Sequence, residues 1–143
     1  MKEQTIQLLN EIATNAEMGK HTAEDLLDRV EDPRMKNELQ RHIRTYEDLQ
    51  NRARAMLAVE GELPKQESTM TKLSAKMGVK MKTILDRSPR NVAEMLIEGN
   101  HMGATTLTEA LKENPQANVG AIALAHRLQN AENEYADQLE SFL

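Results

Sequence analysis

The 143-residue sequence predicts an all-α protein built as a four-helix bundle. Three observations predict it: four long segments carry apolar residues at helical spacing, two of their joints are short, and one joint is long. The predicted helices span 4–31, 33–60, 89–113 and 116–142. Short joints force neighbouring helices to run antiparallel, so the four segments should form two helical hairpins within a single domain, 1–143.

Three of the four prolines mark predicted helix starts. Each follows a residue whose side-chain oxygen can accept hydrogen bonds from the free N–H groups of a first helical turn. Proline is tolerated at the next position because its missing N–H would have no helical partner there. The three pairs are Asp32-Pro33, Ser88-Pro89 and Asn114-Pro115.

Each predicted helix has one apolar stripe, with residues three or four apart. In the second helix the stripe includes Met35, Leu39, Tyr46 and Leu49, and in the fourth it includes Leu124, Leu128, Tyr135 and Leu139. Such stripes are typical of helices that bury one face in a common core.

The long joint between the two hairpins contains a fifth amphipathic segment. Its apolar residues also repeat at helical spacing, which predicts a crossover helix at 68–86. About 18 helical residues rise roughly 27 Å, enough to return along most of a bundle. The second and third main helices should therefore run parallel. The apolar residues are Met70, Leu73, Met77, Met81 and Ile84.

With this layout the chain resembles the ferritin-like superfamily, and in particular its small bacterial branches with an incomplete di-iron ligand set. The resemblance is carried by the first hairpin turn at 31–33, the long crossover, and the segment 95–103, Met-Leu-Ile-Glu-Gly-Asn-His-Met-Gly. It implies a bundle of two antiparallel hairpins joined by a helical crossover.

The resemblance also implies where metal ligands would lie. A di-iron bundle uses one Glu from each of two helices and a Glu-x-x-His from each of the other two. The first and third helices would supply single carboxylates, and the second and fourth would supply the pairs. The chain offers this set only in part, because the fourth helix has no carboxylate three or four residues before its histidine. The candidate ligands are Glu17, Glu38, His42, Glu98, His101 and His126.

The four histidines fall one on each helix. His21 shares its face with acidic residues and should be exposed. His42 shares the apolar stripe of the second helix and is interpreted either as a hydrogen-bonded core residue or as a ligand. His126 lies at the edge of its stripe, and Glu98-x-x-His101 stands on the helix that should carry a lone Glu. We therefore expect no cofactor, with iron or manganese bound if the degenerate site is occupied.

Composition excludes several classes of function. Without cysteine the chain has no disulfide, thiolate metal site or thiol nucleophile. Aromatic residues make up 2% of the chain and its net charge is −5, which argues against nucleic acid as a partner. The sequence shows no signal-peptide pattern and no long apolar run, so we expect a cytoplasmic protein.

Three functional hypotheses follow. The first is a non-catalytic bundle that acts through self-association, most simply as a dimer, or through a protein partner. The second is a metal-binding bundle with a degenerate site. The third uses the lysine-rich, methionine-rich crossover to dock on an anionic surface; the alternative is that this segment packs on its own bundle or on a neighbouring chain.

Overall fold

The computed structural model describes residues 1–62 and 86–143. In those residues the chain forms four long α-helices and no strand, which confirms the all-α prediction. None of these helices is both long enough and apolar enough to cross a membrane. The helices are α1 (Lys2–Leu27), α2 (Pro33–Val59), α3 (Pro89–Glu113) and α4 (Val119–Leu139), and a 3-10 turn (Glu140–Phe142) follows α4.

Side-chain caps fix the starts of α2 and α3. Asp32 Oδ1 accepts a hydrogen bond from the backbone N–H of Met35 at 2.9 Å, and Ser88 Oγ accepts one from Asn91 at 3.3 Å. A proline occupies the first turn of each helix. These contacts satisfy backbone donors that have no partner inside the helix.

Removing the Asp32 cap should weaken the first hairpin. We expect Asp32→Ala to lower the free energy of unfolding by about 1 kcal/mol, because the Met35 N–H loses its acceptor. Urea denaturation of the two proteins measures this difference. Asp32→Ser, which keeps a capping oxygen, is the control, and equal losses in both variants would contradict the assignment.

The predicted start of the fourth helix at 116 is wrong. Asn114 ends α3, since its Nδ2 donates to the carbonyl of Ala110 at 2.8 Å instead of accepting from a new helix. The cap of α4 is Asn118, whose Oδ1 accepts from the N–H of Ala121 at 2.8 Å. An asparagine amide can donate as well as accept, so Asn-Pro alone does not distinguish the end of one helix from the start of the next.

The predicted end of the first helix at 31 is also wrong. Helix α1 ends at Leu27, and the N–H groups of Arg29 and Val30 both bond to the carbonyl of Leu26. Val30 remains buried beyond the helix end. Its apolar side chain extended the helical pattern past the point at which the backbone leaves the helix.

Contacts across the bundle fix the direction of each helix. The start of α1 meets the turn before α4, where Thr5 Oγ1 accepts from the N–H of Asn118 at 2.8 Å. Further along α1, Asn15 Nδ2 donates to the carbonyl of Gly103 at 3.0 Å. Helices α1 and α3 are therefore antiparallel. Because α1 and α2 are also antiparallel, α2 and α3 run in the same direction, as predicted. The predicted crossover helix lies outside the described residues except for residue 86.

The core consists of two apolar clusters at opposite ends of the bundle. One includes Leu8, Ile12, Leu57, Leu107 and Leu128, and the other includes Leu26, Met35, Leu39, Val92 and Leu139. Polar side chains from α2, α3 and α4 are buried between them. This central layer positions the candidate site.

Candidate functional site

Three buried polar side chains from three helices meet at the centre of the bundle. Tyr46 of α2 places its hydroxyl oxygen 3.0 Å from Glu132 Oε2 of α4 and 3.3 Å from Asn100 Oδ1 of α3. Each of the three is at most 5% exposed. A carboxyl group this deep is costly to ionise, so its surroundings decide its charge.

Burial raises the pKa of Glu132 to about 8, although the hydrogen bond with Tyr46 opposes the change. At neutral pH this side chain is therefore a neutral carboxylic acid. Burial, followed by the neighbouring Glu132, also raises the pKa of Tyr46 well above its usual value. The Tyr46 hydroxyl has a single proton, which it can donate to Asn100 Oδ1. The carboxylic acid of Glu132 can then donate its own proton to the Tyr46 oxygen. The network is then fully protonated and uncharged.

His42 lies one helical turn before Tyr46 and is 1% exposed. Its ring stacks on Tyr135 with the centroids 3.7 Å apart, and its Nε2 lies 3.1 Å from Glu38 Oε2. Burial lowers the pKa of His42 to about 4 even though Glu38 favours the charged form. At neutral pH the contact is therefore a hydrogen bond from a neutral imidazole to Glu38, whose charge is balanced by Arg41 at 2.6 Å.

Two glycines make room for this layer. A Cβ on Gly19 would lie 2.6 Å from Cζ of Tyr46, closer than any real contact. A Cβ on Gly103 would lie 3.0 Å from Glu132 Oε1 and 3.3 Å from Asn15 Oδ1. In each hairpin, a glycine on the first helix therefore faces an inward-pointing polar side chain on the second.

A cavity of about 60 Å³ adjoins the network between α1 and α3. Its buried lining includes Tyr46, Asn100 and Glu132. Asn100 Nδ2 is buried and has no hydrogen-bond partner within the described residues. The cavity is thus lined by polar side chains at its buried end, and Glu11 of α1 also lines it.

The structure brings together two of the six predicted metal ligands, Glu38 and His42. None of the other four is buried. Glu17 is partly buried and faces His21 at 3.6 Å, while Glu98, His101 and His126 are exposed. Within residues 1–62 and 86–143, no three histidine or acidic side chains come close enough to hold a metal ion.

Sequence reasoning missed Glu132, Asn100 and the polar role of Tyr46. A signal was available for Glu132: it lies four residues after Leu128 and three before Tyr135, inside the apolar stripe of its helix. The search for metal ligands considered carboxylates three or four residues before His126, and Glu132 lies six residues after it.

A family model described as "Domain of unknown function (DUF2383)" matches residues 4–113, which is most of the chain. The chain belongs to this family. A search of curated proteins found no match. Among solved structures, the DUF2383 chain is similar to the bacterioferritin-related protein of Bacteroides fragilis, described as a dodecameric thioferritin, with a TM-score of 0.77 and 10% sequence identity. The alignment covers 99% of this chain and 85% of that one.

The DUF2383 chain thus has a ferritin-like fold, which confirms the fold that the sequence resemblance implied. Its interior does not fit a di-iron centre. Such a centre needs several ionised carboxylates to neutralise two cations. Glu132 is the one acidic side chain buried in the described parts of the chain, and no group of three histidine or acidic side chains there is close enough to hold a metal ion. The neighbouring groups are phenol, amide and neutral imidazole.

Proposed function

We propose that this DUF2383 chain is a non-catalytic ferritin-like bundle that acts by self-association, with an uncharged hydrogen-bonded layer where ferritin-like enzymes hold their metals. The observation that carries the proposal is the network of Tyr46, Asn100 and Glu132. It joins three helices at the middle of the bundle. A buried hydrogen-bonded network that links three helices helps to specify one packing arrangement of the helices, which a protein that assembles through its surfaces requires.

The proposal of self-association is supported by the solved neighbour, which is described as dodecameric. Closed symmetric assemblies of identical chains are the common form of soluble oligomers, and a dimer is the smallest. We therefore propose a homo-oligomer of this chain. A protein partner other than a second copy is the alternative to be tested with it.

The second candidate is a metal-binding bundle that holds iron or manganese in a degenerate site. The contact between Glu38 and His42 favours it, since both are usual metal ligands and lie on one face of α2. Against it, the His42 nitrogen that faces Glu38 is buried against Tyr135, and the Glu38 carboxylate is already paired with Arg41.

One preparation tests both candidates. Protein purified without chelators from cells supplied with iron and manganese is analysed for metal by mass spectrometry and for molar mass by light scattering. We expect far less than one metal ion per chain and a mass of at least twice 16.2 kDa, in whole-number multiples of the chain. A monomer at every concentration would contradict self-association.

The metal alternative has a separate outcome. Near-stoichiometric iron or manganese that disappears in Glu38→Gln would contradict the non-metal assignment. Glu17→Gln and Glu98→Gln extend the test to the predicted ligands of α1 and α3. Exposed Glu94→Gln is the control for the loss of a surface carboxylate, because Glu94 is paired with Arg90 and is not one of the candidate ligands.

A further inference from the structure

The two most exposed large apolar side chains lie at the same end of the bundle. Val59 is 86% exposed and Val119 is 84% exposed, more than any other large apolar residue that the structure describes. Val59 is the last residue of α2, and Val119 is the first residue of α4. A single exposed valine is ordinary, whereas neighbouring exposed apolar residues are typical of a surface that binds another molecule.

The two valines belong to one patch. A Cβ on Gly120 would lie 2.9 Å from Met56 Cε, so the side chain of Met56 extends over the start of α4. Val59 lies one helical turn after Met56, and Val119 adjoins Gly120. Each helix adds an exposed alanine on the same face, one turn before Val59 in α2 and one turn after Val119 in α4. We call these residues the end patch: Ala55, Met56, Val59, Val119, Gly120 and Ala123.

The end patch suits a helical surface as its partner. Residues 55–59 and 117–126 contain no aspartate, glutamate, lysine or arginine, so a partner displaces no charge from water here. All its side chains except Met56 are small, which allows two helices to approach closely. The flexible thioether of Met56 can adapt to the surface opposite.

Opposite charges flank the end patch along α2. Arg52 lies four residues before Met56 and Glu60 lies four residues after it. Both therefore share the face of Met56, each about 6 Å away from it along the helix. Arg52 also pairs with Asp48 of the same helix at 2.9 Å, but the side chain of Arg52 is 52% exposed and stays accessible to a partner.

This charge pattern is complementary to itself. When two copies of α2 cross antiparallel about a two-fold axis at Met56, Arg52 of each copy faces Glu60 of the other copy. A parallel arrangement would instead bring the two arginines together and the two glutamates together. The charges therefore favour a second copy of this chain as the partner, and they favour the antiparallel arrangement.

We propose that the end patch is a surface through which two copies of this chain associate, with their α2 helices antiparallel about a two-fold axis at Met56. The inference rests on the self-association proposed above and names its contact surface. A patch of six residues, most of them small, buries less than the roughly 800 Å² per partner of a standard interface, so this contact alone should have a dissociation constant in the micromolar range.

Lysine substitutions test the apolar part of the contact. Val59→Lys and Val119→Lys should each weaken association at least about tenfold, because the contact would bury the new charge. Sedimentation velocity over a range of protein concentrations measures the association. Met102→Lys is the matched control, since Met102 is an exposed apolar residue of α3 outside the end patch. Because both valines are exposed, thermal unfolding of the variants should change little.

Charge reversal tests the two-fold arrangement. Arg52→Glu and Glu60→Arg should each weaken association, and the double variant should restore it because the exchanged charges face each other again. Arg90→Glu is the control: like Arg52→Glu, it reverses an exposed arginine that pairs with an acidic residue four positions away, here Glu94. Association of the control should equal that of the parent protein.

The outcomes separate this inference from the proposed function. A parent protein that associates equally well with lysine at position 59 or 119 would overturn the end patch and leave self-association standing. A parent protein that stays monomeric at every concentration would overturn both. Single charge reversals that weaken association without rescue in the double variant would contradict the antiparallel arrangement. Lysine variants that unfold more readily but associate normally would assign the end patch to the chain's own residues 63–85 and overturn the proposal.

Discussion

Between pH 6.5 and pH 8 we expect the free energy of unfolding to fall by roughly 1 kcal/mol, and we expect Glu132→Gln to remove that fall. Urea denaturation at closely spaced pH values measures it. The effect arises from one buried carboxyl group, since the pKa of Glu132 is raised from 4.5 to about 8 by burial.

The sign follows from proton counting. Between pH 4.5 and about 8 the folded chain holds a proton on Glu132 that the unfolded chain has lost. Unfolding then releases a proton, so a higher pH favours unfolding. Well above pH 8 the carboxyl is ionised in both states, and its contribution no longer changes.

His42 acts in the opposite direction at lower pH. Its pKa is lowered from 6.5 to about 4, so between these values the unfolded chain holds a proton that the folded chain lacks. Its contribution to stability therefore falls as the pH drops below 6.5. Between about pH 4.5 and 6.5 the contributions of Glu132 and His42 to the pH dependence of the free energy of unfolding nearly cancel. The fall in stability that is due to Glu132 therefore appears above pH 6.5.

A matched control is Glu11→Gln. Glu11 also has a raised pKa, through partial burial and then the nearby Glu113, but it does not contact Tyr46. The fall between pH 6.5 and 8 should persist in this variant. A fall that survives in Glu132→Gln, or no fall in the parent protein, would contradict a neutral Glu132.

Gly19→Ala should lower the free energy of unfolding by about 3 kcal/mol, roughly 10 °C in melting temperature. The new Cβ would lie 2.6 Å from Cζ of Tyr46 and under 3 Å from two further ring atoms. The ring cannot turn aside without losing its contacts with Glu132 and Asn100. Thermal and urea unfolding measure the loss.

Gly120→Ala is the control for this substitution. Its Cβ would meet the flexible end of Met56 at 2.9 Å, which can move, and alanine favours the helix. We expect a change within about 1 kcal/mol. Tyr46→Leu should also relieve the clash, so adding Gly19→Ala to it should cost little. A large additional loss in that double variant would show that the Tyr46 ring is not the obstacle.

The architecture could be predicted from the sequence because it depends on regular sequence patterns. Apolar stripes, two capped prolines and one long joint specify the helices and their directions. The errors occurred at two helix ends. Asn114 was assigned to the start of a helix but ends one, and Val30 was assigned to a helix but lies beyond its end. A capping side chain and a buried apolar residue do not by themselves fix where the backbone leaves a helix.

The central polar layer was harder to predict from the sequence, because it depends on which polar side chains lie inside the apolar stripes. Glu132 and Asn100 occupy such positions, whereas the six predicted ligands were selected to complete a metal pattern. Among them, Glu38 and His42 are in contact. The paired sequences Met18-Gly19 and Met102-Gly103 were a further signal, since both glycines face the inner polar side chains.

The protonation state of Glu132 tests the account most directly. A ¹³C NMR titration of its carboxyl carbon, assigned by comparison with Glu132→Gln, gives the pKa in the folded protein. We predict a midpoint near pH 8 that iron or manganese does not shift. A midpoint near the ordinary value of 4.5, or a signal displaced by either metal, would contradict an uncharged centre.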